Sequence, residues 1–167
     1  SASSLPHGVP RNIPLEHGFL TMDYGAEVGG YRSDMTRTVC IGRADEEMRT
    51  IYGTVLRAQL AAKSALRAGM LCSEADGIAR KIIDDAGYGK CFGHSLGHGV
   101  GLFIHEAPNL SPHAGERRLH PGNIVTVEPG IYVEGRCGVR IEDMALIEEG
   151  GARILTSCPK ELIELCV

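Results

Sequence analysis

GHSLGHGVGLFIHEAP, Gly93 to Pro108, is the stretch from which the rest of this 167-residue chain can be read. It holds three of the seven histidines, His94, His98 and His105, set among four glycines. Histidine ligates metals and carries protons near neutral pH. Glycine lets backbone and small ligands come close. The same residues in a Gly-rich turn can be plain surface polar groups, and a His-x3-His spacing alone does not decide between the two. The question is whether the chain supplies carboxylates that converge here.

Two acidic stretches flank it. Upstream, FLTMDYGAEV (19–28) and YRSDMTRTVCI (31–41) carry strand-like patterns around Gly29-Gly30, which predicts a β-hairpin. With its turn centred near Val28 and Gly29, Asp23 and Asp34 fall opposite each other, where Cβ atoms lie about 5 Å apart. Two like charges there repel unless a cation lies between them. Downstream, NIVTVEPG (123–130) and GVRIEDMALI (138–147) read as a second hairpin about Gly135, with Glu128 opposite Glu142. Pro129 and Gly130 are expected to distort its first strand.

The remaining segments read as scaffold. Asp45–Ala68 is predicted as a long helix, with acids at its positive end, Gly69 at its C-cap and a stripe of Met48, Ile51, Val55, Ala58, Ala62 and Ala65 facing the core. Its charges read as a solvated face. A second helix is expected from the N-cap Ser73 to Gly87. ARILT (152–156) reads as a short strand, and PKELIEL (159–165) as a helical turn or two starting at Pro159. The N-terminal stretch, with three prolines and no period, reads as loop, and there His7 reads as a turn residue. A chain that opens inside a loop suggests a fragment of a longer one.

Composition narrows the classes. Hydrophobic residues at 43% and charged residues at 23% are ordinary for a globular domain. A net charge of −4 gives no electrostatic footprint for nucleic acid or an anionic membrane. No apolar run approaches the ~20 residues of a membrane span, and no signal peptide is visible. The six cysteines form no CxxC and no cluster, which suits reduced thiols in a cytoplasmic protein.

Four carboxylates cannot share a partly buried pocket as bare anions. Two divalent cations would neutralise them, and carboxylate-rich ligation with one imidazole suits Mn²⁺, Co²⁺, Fe²⁺ or Zn²⁺. Such a pair brings the pKa of a water between them toward neutrality, which is hydrolytic chemistry.

On SLPHG (4–8), MDYGAEVGGYRSDMTRTV (22–39), GHSLGHGVGLFIHEAP (93–108) and VTVEPGIYVEGRCGVRIEDMALI (125–147), the chain resembles the catalytic domain of the creatinase/aminopeptidase P/prolidase family, the pita-bread metallopeptidases. The resemblance implies an α+β pita-bread fold: a curved, mostly antiparallel sheet with helices packed on its outer face. It implies that residues 1–167 are a single C-terminal catalytic domain, with the first segment of the fold missing. Two divalent ions, manganese foremost, would be held by Asp23, Asp34, His98, Glu128 and Glu142. Asp34 and Glu142 would bridge the ions, and Glu128 would also take the proton of the attacking water. His7, His94 and His105 would serve the substrate side, which changes the reading of His7, and Arg140 would support the carboxylates. The implied substrate is a peptide with proline in second position, and the full-length protein would be a homodimer. Asn109 stands where prolidase-like members resemble one another in placing an arginine for a dipeptide's carboxylate. That points to an Xaa-Pro aminopeptidase before an Xaa-Pro dipeptidase. A metal-free creatinase-like hydrolase or a non-enzymatic binding module on the same fold would not need all five ligands, and all five are here.

Overall fold

The computed structural model describes residues 2–10 and 12–166. After a short 3₁₀ turn (Ala2–Ser4), the chain forms β1 (Gly18–Tyr24), β2 (Glu27–Val28), β3 (Tyr31–Arg32) and β4 (Met35–Ile41). Two helices follow, α1 (Glu46–Ala65) and α2 (Cys72–Asp85). Then come β5 (Gly97–Gly99), β6 (Glu106–Leu110), β7 (Ile124–Val127), β8 (Gly130–Val133), β9 (Cys137–Arg140), β10 (Asp143–Glu148), β11 (Gly151–Ile154) and β12 (Glu164–Leu165). One sheet runs β1-β4-β12 and a second β11-β10-β7-β5-β6, with β2-β3 and β8-β9 as separate hairpins. Every pairing is antiparallel except β4 with β12.

The first hairpin forms, but its register differs from the expected one. Asp23 pairs with Thr36, not with Asp34. The turn is centred between Gly29 and Gly30, both at positive φ, one residue later than expected. Asp34 lies before β4, where the ladder is open. A Cβ on Gly25 would run into the Ser33 carbonyl oxygen, so only glycine lets the two strands close up beside Asp34. The second hairpin keeps the expected centre: Gly130 pairs with Arg140 and Val127 with Asp143. The ladder breaks at Glu128-Pro129 and at Ile141-Glu142, so 138–147 is two strands, β9 and β10, and the two glutamates sit at the break.

α1 packs as its period predicts. Ile51, Val55, Ala58 and Ala62 are completely buried, and burying an Ile or Val side chain contributes about 1.5–3 kcal/mol. Asp45 is its N-cap, accepting a hydrogen bond from the Met48 N–H. The helix ends at Ala65, three residues early, because Leu66 turns to extended backbone and is buried; Gly69 lies in the following turn and donates its N–H to Leu119. α2 starts at Cys72 with Leu71 as N-cap, so Ser73 is not the cap. The 159–165 segment is not helical. Ile163 and Leu165 accept backbone hydrogen bonds from Cys40 and Gly42, because the exposed edge of β4 offers unpaired N–H groups that an extended chain can take.

The charges of α1 are not all solvated. Lys63 reaches Asp143, which is completely buried and also receives Arg37, Lys160, Thr156 and the Gln59 amide. Burial alone would raise the Asp143 pKa, but those hydrogen bonds hold it well below the carboxylate range. Arg37 also donates to the Thr36 and Glu142 carbonyls, tying this cluster to the start of β4 and to the β9–β10 break. All six cysteines are free thiols.

The segment carrying His7 is held at β9. Gly138 donates its N–H to Ser3 Oγ, and Arg140 Nη1 donates to the Pro6 carbonyl at 2.9 Å. A Cβ on Gly138 would run into the Ser3 carbonyl oxygen. Gly138→Ala is therefore expected to destabilise the protein by about 1–3 kcal/mol and to release the segment around His7. Thermal denaturation together with limited proteolysis of residues 3–8 checks this; an unchanged cleavage pattern would contradict it.

Candidate metal centre

All nine residues singled out in the sequence line one cleft of about 330 Å³. Asp34 and Glu142 form its buried floor, His98, Glu128 and His94 are half-buried, and Asp23, His7 and His105 are exposed. Ligand atoms of Asp34, His98 and Glu142 lie within 4.8 Å of one another. Asp23 lines the same cleft despite the shifted register, and its charge helps raise the Asp34 pKa.

Neighbouring side chains fix Glu142, Glu128, Asp23 and His94. Thr36 Oγ1 accepts from Arg140 Nε and donates to Glu142 Oε2 at 2.6 Å. Thr126 Oγ1 accepts the His98 N–H and donates to Glu128 Oε1 at 2.9 Å. A Cβ on Gly97 would run into the Thr126 carbonyl, so glycine is needed for this approach. Arg140 Nη2 holds Asp23 Oδ2 at 2.6 Å, and its Nη1 donates to the Tyr132 hydroxyl. Tyr132 in turn donates to His94 Nε2 at 2.9 Å, while His94 Nδ1–H donates to the Ser95 carbonyl. Both ring nitrogens of His94 thus have protein partners. His105 packs edge-on against His98, with ring centroids 4.5 Å apart. Thr36, Thr126 and Tyr132 carried no signal in the sequence beyond lying two to four residues from an acid.

The donor set fits a divalent cation on three counts. Glu142 Oε1 is buried and has no hydrogen-bond partner among the described residues, an arrangement costly for a carboxylate left alone. Burial, with Glu128 and Asp34 nearby, pushes the Glu142 pKa up to about 9, and burial with Asp23 and Glu128 pushes Asp34 to about 6. A cation reverses that penalty. His98 Nδ1–H donates to the Gly99 carbonyl at 3.0 Å. This leaves Nε2 facing Glu128 Oε1 at 3.2 Å and Asp34 Oδ2 at 3.6 Å. A backbone carbonyl on the far nitrogen is how ligating imidazoles are held.

Carboxylates gathered about one imidazole on an α+β scaffold are the equipment of a metal-dependent hydrolase. The chain belongs to metallopeptidase family M24, whose model matches residues 1–149. It is 49% identical over 162 residues to the Xaa-Pro dipeptidase of Pyrococcus furiosus, covering 96% of this chain and 46% of that protein. Among solved structures, a Bacillus anthracis Xaa-Pro dipeptidase matches with a TM-score of 0.95 at 48% identity, over 98% of this chain and 46% of its own. An X-Pro aminopeptidase from Thermotoga maritima matches with a TM-score of 0.93 at 40% identity, over 98% and 46%. The fold is the α+β pita-bread fold of the creatinase/aminopeptidase P/prolidase family. The chain spans about half the length of the curated relatives it matches.

Proposed function

We propose that this chain carries the catalytic centre of a peptidase that cleaves the bond between an N-terminal residue and a following proline, as the C-terminal catalytic domain of a longer protein. The observation that carries the reading is the buried, unpartnered Glu142 oxygen beside Asp34 and His98. Asp34 and Glu142, together with Asp23, His98 and Glu128, would hold two divalent ions, manganese foremost. When bound, the ions supply the positive charge that lets the four carboxylates coexist and that activates water for attack on a carbonyl. Glu128, half-buried beside His98, takes the proton of the attacking water and passes it to the departing proline nitrogen. His105 and His7, on the exposed side of the cleft, steady the substrate carbonyl and N-terminal residue as charge grows on the oxygen. His94 belongs to the same wall, held by Tyr132, and Arg140 orients Asp23.

Two substrate lengths follow from two observations. Two relatives at 48–49% identity bear the name Xaa-Pro dipeptidase, which makes the dipeptide the first substrate to test. Asn109, exposed on β6 and lining the cleft, favours longer peptides. Among the described residues no lysine and no arginine besides Arg140 lines the cleft, and Arg140 already donates to Thr36, Pro6, Tyr132 and Asp23. In the full-length protein with Mn²⁺ or Co²⁺, an Xaa-Pro dipeptide, the matched Xaa-Pro-Yaa tripeptide and an Xaa-Ala control separate the readings. Cleavage of either proline substrate well above the control supports the proposal, and the ratio of the two assigns the length. Equal cleavage of the control, or none of any substrate, contradicts it.

A further inference from the structure

The backbone from Phe92 to Leu96 lies before β5 and has no strand ladder of its own, yet it carries His94 and leads into His98. Buried backbone polar groups need partners, and here α2 supplies them. Arg80 Nη1 donates to the Phe92 carbonyl at 3.0 Å and Nη2 to the His94 carbonyl at 2.8 Å. Asp76 Oδ1 accepts the Leu96 N–H at 3.0 Å. The two side chains also grip each other, Arg80 Nε to Asp76 Oδ2 at 2.6 Å and Nη2 to Oδ1 at 2.9 Å. The guanidinium stands 4.3 Å from the centroid of the Phe92 ring.

We infer that Asp76 and Arg80 are positioning residues for the catalytic centre, acting through the Phe92–Leu96 backbone on His94, His98 and Glu128 together. The inference rests on the metallopeptidase reading above. An acid and a base four apart on a helix ordinarily form a solvated pair with a few tenths of a kcal/mol of effect. This pair points inward instead: the Asp76 side chain is 1% exposed and that of Arg80 29%. The backbone it holds is coupled to both sides of the cleft. Ser95 takes the His94 Nδ1–H, and the Leu96 carbonyl takes the Glu128 N–H at 2.8 Å. Gly97, wedged against Thr126, then fixes His98. A planar fork with several donors is required, because one edge faces a carboxylate while other N–H groups reach two carbonyls; an ammonium reaches fewer of these at once.

The test compares full-length wild type with Arg80→Ala, Arg80→Lys and Asp76→Asn. For each, Co²⁺ affinity, the visible absorption of bound Co²⁺, kcat and KM on an Xaa-Pro substrate, and Tm are measured. Arg80→Ala is expected to weaken Co²⁺ binding by about 10- to 100-fold, to shift the Co²⁺ absorption, and to lower kcat more than it raises KM. Arg80→Lys recovers part of each loss. Asp76→Asn, which keeps an acceptor for Leu96 but loses the charge partner of Arg80, falls between wild type and Arg80→Ala. If Arg80→Ala does not fold, the other two variants decide. Variants that differ from wild type in Tm alone, with unchanged Co²⁺ affinity, spectrum and kcat, overturn the inference. A wild type that takes up no Co²⁺ overturns the metallopeptidase reading, and this inference with it.

Discussion

Glu142→Gln in the full-length protein is expected to lower divalent-cation affinity by more than about 100-fold, beyond the 10- to 100-fold loss usual for a residue that only orients a ligand. Glutamine keeps the shape and the contact with Thr36, so the change is in charge and in the free oxygen Oε1. The same substitution has the opposite effect on the metal-free protein. There a buried carboxyl beside Asp34 and Glu128 is a liability, and a neutral amide relieves it. The metal-free variant should therefore melt at or above wild type. With cation at 100 times its Kd, wild type gains about 2.7 kcal/mol while the variant gains almost nothing. Melting curves with and without Mn²⁺ read both effects. Equal stabilisation of the two proteins by Mn²⁺ would contradict Glu142 as a ligand.

Glu128→Gln is the second large effect. Its carboxylate stands beside His98 Nε2 and is held by Thr126, so the proposed proton transfer has a fixed geometry. Loss of a positioned general base or acid lowers turnover by about 10²–10⁴-fold. Because Glu128 is also proposed as a ligand, the decisive measurement is kcat at saturating cation. A deficit that persists there reports the proton transfer. A kcat fully restored by added cation would leave Glu128 a ligand only.

Much of this arrangement is legible in the sequence because two-residue periodicity and glycine turns are local. The symmetry of Glu128 and Glu142 about Gly135 survives a broken ladder, since the turn alone sets the register. The first hairpin shows the limit of that logic. A turn placed one residue early moves the cross-strand partner of Asp23 by two, yet Asp23 and Asp34 still line one cleft, beside the close approach of Gly25 to Ser33. PKELIEL has helical composition, yet the free edge of β4 takes it as an extended segment, a long-range preference that no local pattern carries. Asp76 and Arg80 look like an ordinary surface pair, and Lys63 like a solvated charge; their partners lie in segments far along the chain. The carboxylates and histidines were visible as residue types, whereas the hydroxyls that aim them, Thr36, Thr126 and Tyr132, were not.

Asp34, His98 and Glu142, with Asp23 and Glu128, are proposed to hold divalent cations. Anomalous diffraction from crystals of the full-length protein grown with Mn²⁺ tests it most directly. Two anomalous peaks are expected in this cleft, each with oxygen or imidazole nitrogen ligands from these residues at about 2.0–2.5 Å. A cleft without a peak at saturating Mn²⁺, or peaks bound by other side chains, would contradict it.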